Sequence, residues 1–156
     1  MAKLKEGVKA PDFKAAASDG SQVALKDYKG KKRVVLYFYP KDDTPGCTVE
    51  ACGFRDSAKA IEKKDTVVLG VSPDSVESHG KFISKFKLPF TLLSDIEKRL
   101  CGSYGVWVEK SMYGRKYMGV ARTTFIIGKN GKIEKIFEKI KPEGHDREVL
   151  EFLSYS

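Results

Sequence analysis

Residues 33–39, Arg-Val-Val-Leu-Tyr-Phe-Tyr, form an almost unbroken apolar run rich in β-branched and aromatic side chains. Such a run suits a strand covered on both faces, at the centre of a sheet with helices packed on it. The next residues narrow the choice further. After Pro45-Gly46 the apolar positions change period: Cys47, Ala51, Phe54, Ala58 and Ile61 recur at spacings of four and three, the stripe of a one-sided helix. Thr-Val-Val-Leu-Gly-Val-Ser at 66–72 then reads as a second strand. Residues 33–72 are therefore expected to form one βαβ unit, with its two strands parallel.

The flanking segments extend that unit on both sides. Residues 11–25 read as a short hairpin or extended entry, with Asp19-Gly20 as its turn. A helix is expected over 75–86, with Val76, Ile83 and Phe86 near one face. A short strand at 91–95 and a short helix over 96–105 come next. Residues 106–118 show no clear period and are expected to be irregular. Thr123–Ile127 and Lys132–Ile140 flank Gly-Lys-Asn-Gly, and Asn130-Gly131 is a strong hairpin signal. A last helix, about 144–154, should bury Val149, Leu150 and Leu153. No repeat, linker or low-complexity stretch interrupts the pattern. The expectation is a single α/β domain over residues 1–156, with a central mixed sheet flanked by helices.

Composition excludes several classes. Hydrophobic content of 41% and charged content of 32% are those of a chain able to bury a core, not of a disordered one. No apolar run approaches the ~20 residues that span a bilayer, and no apolar segment follows the N-terminal lysines as in a secretory signal. We expect a cytoplasmic protein with no membrane partner. The 29 basic against 21 acidic residues give +8, but the lysines are spread along the chain with no aromatic-interleaved basic stripe. A solvated lysine surface accounts for them, and no nucleic-acid partner is expected. Three cysteines in such a chain do not make a disulfide framework.

Two of those cysteines lie in Tyr-Pro-Lys-Asp-Asp-Thr-Pro-Gly-Cys-Thr-Val-Glu-Ala-Cys, residues 39–52. Thr44 is placed to be an N-cap, with Pro45 at the first helical position, where its missing N–H costs nothing. That puts Cys47 in the first turn, where unpaired N–H groups and the macrodipole favour a thiolate. Cys47 also heads the apolar stripe, so an inert buried thiol is the competing reading. Cys52 sits on another side of the helix. In an ideal helix, Cα atoms five residues apart are about 8.6 Å from each other. A disulfide usually needs less than ~7 Å. The two cysteines can bond only if the helix start unwinds, which Gly46 and Gly53 make easier by about 1 kcal/mol each relative to Ala. The C-x4-C spacing is neither a dithiol redox C-x-x-C nor a zinc pair, and neither His79 nor His145 neighbours a cysteine in sequence. No metal is expected.

These residues carry a resemblance. Tyr39-Pro40-Lys41, Thr44-Pro45-Gly46-Cys47-Thr48 and Glu50-Ala51-Cys52-Gly53-Phe54-Arg55-Asp56 resemble the peroxiredoxin Q (bacterioferritin comigratory protein) family. The similarity continues in order through Val68–Ser72, Phe90–Asp95, Tyr104–Trp107, Glu109-Lys110-Ser111, Arg122–Phe125 and Asn130–Ile133, so it covers nearly the whole chain. The resemblance implies a thioredoxin-like fold with an N-terminal β extension, and cofactor-free reduction of hydrogen peroxide and organic hydroperoxides. In it Cys47 matches the peroxidatic cysteine and Cys52 the resolving one. Thr44 matches the residue whose hydroxyl bonds the peroxide and thiolate. Arg122 matches the arginine that stabilises both, and Pro40 the proline that shields a pocket also bordered by Gly46. The implied partners are a hydroperoxide and thioredoxin or a similar dithiol reductant. An intramolecular Cys47–Cys52 bond needs no second subunit, so a monomer is expected.

Other assignments stay open at the level of sequence. Cys101, beside Leu100 and Ile96, is expected to be a partly buried structural thiol, with a resolving role as its rival. His79 and His145 are expected to be helix residues without catalytic work, and Trp107 to pack near the site. A redox-controlled binding protein is the alternative from another class, motivated by a helix that must unwind.

Overall fold

The computed structural model describes residues 4–155. The run at 33–39 becomes β3 (Arg33–Phe38), preceded by β1 (Lys14–Ala17) and β2 (Gln22–Ala24). After it come α1 (Pro45–Glu62), β4 (Thr66–Ser72), α2 (Val76–Phe86), β5 (Thr91–Ser94) and α3 (Arg99–Ser103). The chain continues as β6 (Trp107–Met112), β7 (Arg115–Val120), β8 (Thr123–Ile127), β9 (Ile133–Phe137) and α4 (His145–Tyr155).

Seven strands make one mixed sheet in the order β2-β1-β5-β4-β3-β8-β9. The expected βαβ unit is present: β3 pairs parallel with β4, Val35 opposite Val68, and β4 pairs parallel with β5. On its other side β3 pairs antiparallel with β8, Leu36 opposite Phe125. Alternation along β3 divides the core in two. Val35, Tyr37 and Tyr39 face a cluster built with Cys47, Ala51, Phe54 and Ile61 of α1, Phe82 of α2, and Val149 and Leu153 of α4. Val34, Leu36 and Phe38 face the opposite cluster, with Leu100 and Cys101 of α3, Tyr104 and Phe125. This is an α/β, thioredoxin-like arrangement with a β1–β2 extension at its edge.

Both hairpins marked by glycine turns form. Gly20 (φ 87°) turns β1 into β2, and Asn130-Gly131 (φ 81° at the glycine) turns β8 into β9. The segment expected to be irregular does not stay so. Residues 107–120 form a two-stranded ribbon, β6 on β7, turned at Tyr113-Gly114 with φ of 52° and 78°. Its period is invisible in the sequence because most of the ribbon is exposed on both faces, so no apolar alternation is required of it. α3 is also shorter than the expected 96–105, since its first N–H groups are held by the Asp95 carboxylate, at 3.1 Å from Leu100 N and 2.8 Å from Cys101 N. In α2 the buried positions are His79 and Phe82, with Ile83 and Phe86 beside them. In α4, Leu150 is only half-buried.

Candidate active site

The loop after β3 delivers the start of α1 to the carboxyl ends of the parallel strands, the edge where α/β sheets place their reactive groups. Cys47 lies there in the first turn, 2% exposed. Arg122, in the short link between β7 and β8, reaches across to it: Nη2 donates to Cys47 Sγ at 3.4 Å. The same guanidinium donates from Nη1 to Glu50 Oε1 at 2.6 Å. Gly46 makes this approach possible, because a Cβ there would stand 3.2 Å from Arg122 Nη2. Three residues matched by the motif, Gly46, Cys47 and Arg122, are thus brought together.

Glu50 lies within the matched run but the resemblance gives it no role, yet it is 1% exposed and forms half of the ion pair. A signal was available. Glu50 is three residues after Cys47 and so falls inside the apolar stripe, where a carboxylate needs a partner. Burial pushes its pKa up to about 7, against the pull of Arg122. Its Oε2 and the Tyr37 hydroxyl, both buried, have no hydrogen-bond partner among the described residues. Lys110 of β6 adds a second cation near the guanidinium. Burial, then the Arg122 charge, moves its pKa below the ordinary lysine value, while the sulfur of Cys47 acts the other way. The ribbon that the sequence left without a period is what carries Lys110 there.

Thr44 occupies the N-cap position with extended backbone, but its side chain does not cap. Its hydroxyl donates instead to the Lys41 carbonyl at 2.9 Å. Towards the site its oxygen is therefore an acceptor. Pro40 is half-buried at the start of the same loop. Cys52 is half-buried, on the same unbroken helix as Cys47, and all three thiols are free.

Cys101 belongs to the core cluster on the other face of the sheet, so the sheet stands between it and Cys47. Burial, reinforced by Asp95, pushes its pKa well above the ordinary thiol value. Trp107 likewise packs against that opposite cluster, under the Lys98 ammonium at 5.5 Å from its ring. His145 is fully buried between Phe54 and Phe137, bonded to Thr124 Oγ1 at 2.8 Å and Glu148 Oε1 at 3.2 Å. It ties α4 to β8. His79 is also fully buried, in a network with the loop before α1.

A family model, AhpC/TSA, matches residues 7–136. The chain belongs to that family. It is 52% identical over 147 residues to the putative peroxiredoxin Bcp of Coxiella burnetii, covering 94% of this chain and 97% of the relative. It is 51% identical over 150 residues to peroxiredoxin Bcp of Bacillus subtilis, covering 96% and 95%. The solved structure of the Xanthomonas campestris bacterioferritin comigratory protein, studied for its alkyl peroxide reduction activity, superposes with a TM-score of 0.90 at 36% identity, over 97% of this chain and 98% of that one. Within the AhpC/TSA family the chain is therefore a peroxiredoxin of the Bcp, or peroxiredoxin Q, type, a thiol-dependent peroxidase.

Proposed function

We propose that Cys47 reduces hydrogen peroxide and organic hydroperoxides and that Cys52 resolves the product. The contact that carries this reading is Arg122 Nη2 on Cys47 Sγ, 3.4 Å, at the start of a helix. A guanidinium and first-turn N–H groups both favour the thiolate, which is the nucleophile.

The Cys47 thiolate attacks the distal oxygen of ROOH and the O–O bond breaks. Sulfur is oxidised by two electrons to Cys47–SOH, and RO⁻ leaves as ROH once protonated. Thr44 Oγ, whose own O–H donates to the Lys41 carbonyl, accepts the O–H of the oxygen under attack and so orients the hydroperoxide. Charge grows on the departing oxygen as the bond lengthens, and Arg122 with the helix-start N–H groups stabilises it without rearranging. Pro40 and Gly46 border the pocket, the first excluding water and the second leaving room for the guanidinium. The sulfenic acid then condenses with the Cys52 thiol, forming the disulfide and releasing water. The separation of Cys101 behind the sheet and its raised pKa favour Cys52 as resolver.

An external dithiol, thioredoxin or a similar reductant, returns both cysteines to thiols. No organic cofactor or metal takes part in any of these steps. Because resolution is internal to one helix, the protein acts as a monomer. No helix among the described residues is long and apolar enough to cross a membrane. A cytoplasmic setting, where dithiol reductants keep thiols reduced, fits a cysteine pair that an external dithiol must return to thiols.

The test is one equivalent of hydrogen peroxide added to the reduced protein, followed by thiol blocking and peptide mass spectrometry. The expected product is Cys47 joined to Cys52 with Cys101 free. A Cys47–Cys101 link would replace the resolver, and three blocked thiols with unconsumed peroxide would remove the enzyme reading for this site.

A further inference from the structure

The loop that carries Pro40 and Thr44 is held from outside by a buried network unrelated to Arg122. Asp42 is its centre. The Asp42 Oδ1 accepts from the Tyr39 hydroxyl at 2.5 Å, and Oδ2 accepts from Ser78 Oγ at 2.8 Å and meets His79 Nδ1 at 2.7 Å. The backbone N–H of Asp42 donates to Asp74 Oδ2 at 2.8 Å, and that carboxylate also receives Ser72 Oγ at 2.7 Å. His79 Nε2 faces the Leu93 carbonyl at 2.9 Å. The side chains of His79 and Asp42 are 0% and 4% exposed.

The chemistry of the partners fixes one proton. A carbonyl oxygen only accepts, so Nε2 carries its hydrogen. The ligand-type atoms of Asp42, Asp74 and His79 lie within 4.8 Å of one another, but each is already engaged by a donor or acceptor of this chain. The cluster is therefore complete as a hydrogen-bonded knot. It ties the loop to β4, α2 and β5 at once, and adjoins Asp43, whose backbone is left-handed at φ 56°. A non-glycine residue stays in that region only where its surroundings hold it.

We infer that the Asp42–His79 pair is a positioning device for the peroxide pocket, holding residues 39–44 fixed while the start of α1 unwinds to bring Cys47 to Cys52. This rests on the assignment of Cys47 and Cys52 made above. The two steps need opposite things from this region. Attack on the peroxide needs Thr44 and Pro40 held in one place, whereas disulfide formation needs residues after Thr44 to move. A tie that ends at Asp42 serves the first without opposing the second.

Two variants separate the steps. Tyr39→Phe removes one donor to Asp42 and keeps the ring, so the fold survives. His79→Asn removes the link to Leu93 and keeps an N–H towards Asp42. Stopped-flow mixing with hydrogen peroxide measures oxidation of Cys47, and quenching at intervals followed by mass spectrometry measures appearance of the Cys47–Cys52 bond. Loosening the loop is expected to slow oxidation about tenfold in both variants, with the disulfide step no slower than in the wild type. A merely structural role would lower the fraction of active protein and leave the rate per active Cys47 unchanged. Unaltered oxidation per active thiol in Tyr39→Phe, or equal slowing of both steps, overturns the inference. Failure of the wild-type protein itself to oxidise would instead overturn the assignment of Cys47.

Discussion

Replacing Glu50 by Gln tests whether a buried carboxylate beside Arg122 has the environment described. Its folded-state pKa is about 7, against 4.5 for the free side chain, because burial outweighs the attraction of Arg122. A carboxyl group whose pKa rises on folding contributes stability below its unfolded value, and that contribution is lost as pH rises through the folded value. The full loss is the 2.5-unit difference times 1.36 kcal/mol per unit, about 3.4 kcal/mol. Integrated between pH 5 and pH 8, the loss is about 2.5 kcal/mol, most of it between pH 5 and pH 7. Glu50→Gln has no such proton to lose. The clean comparison is made in a Cys47→Ser background, so that both proteins lack the thiol beside Arg122. Urea unfolding at pH 5, 6, 7 and 8 then gives the stability of the Glu50→Gln variant minus that of the Glu50 protein. This difference should grow in favour of the glutamine variant by about 2.5 kcal/mol across the series. A difference constant to within about 0.5 kcal/mol, or one moving the other way, would mean that Arg122 holds Glu50 ionised throughout and that the burial argument is wrong.

Two glycines on α1 give further tests. Gly46→Ala puts a Cβ 3.2 Å from Arg122 Nη2 and displaces the guanidinium from the sulfur, so oxidation of Cys47 should slow about tenfold while urea stability changes little. A Gly46→Ala variant that oxidises at the full rate would show that the Arg122 contact is not needed in that geometry. Gly53→Ala should gain about 1 kcal/mol of helix propensity. Its Cβ, however, would stand 2.8 Å from Asp146 Oδ1, a carboxylate held by Ser57, so we expect a net loss of about 1–2 kcal/mol in urea unfolding. A gain in stability on Gly53→Ala would contradict the packing described between α1 and α4.

How much of this was legible in the chain depends on which residues needed a period. The β3–α1–β4 unit was legible because burial on both faces forces the run at 33–38 and the stripe from Cys47 to Ile61 into recognisable patterns. The ribbon at 107–120 was not, since Met112, Tyr113, Tyr117 and Met118 are all exposed and neither face is required to be apolar. The motif pointed to Cys47, Arg122 and Gly46, and the structure brings these three together, though from residue pattern alone Arg122 reads as an ordinary strand residue with its head in solvent. Glu50 could have been found as a charge inside an apolar stripe. His79 could not. Its burial is compensated by Asp42, 37 residues earlier, and by the Leu93 carbonyl, and no local rule links a histidine in one helix to an aspartate in a loop of another unit. The Thr44 side chain differs for a similar reason. The residue does occupy the N-cap position, but its hydroxyl donates to the nearby Lys41 carbonyl.

The unwinding that the proposed Cys47–Cys52 bond demands has identifiable limits. In the intact helix, Cα atoms five residues apart are about 8.6 Å from each other, beyond the ~7 Å that a disulfide spans. Upstream of Cys47 the chain is fixed at Asp42. Downstream of Cys52 it is fixed at Ser57, whose hydroxyl donates to Asp146 Oδ2 of α4 at 2.5 Å. Between these ties Arg122 is shared by the sulfur and Glu50, and Arg55 Nη1 donates to the Phe86 carbonyl at 2.9 Å. In the proposed mechanism, oxidation would replace a thiolate beside the guanidinium by a neutral group, so the chemical step itself would weaken the hold on the first turns. Amide hydrogen exchange should show this directly. Going from the reduced to the oxidised protein, residues 45–52 should lose protection, while 33–39 and 57–62 keep theirs. Exchange that rises along the whole of α1 would mean that the tie at Ser57 does not stop the opening. Unchanged protection at 45–52 in a protein carrying the Cys47–Cys52 bond would show that the helix accommodates the bond without unwinding, against the Cα separation of an ideal helix.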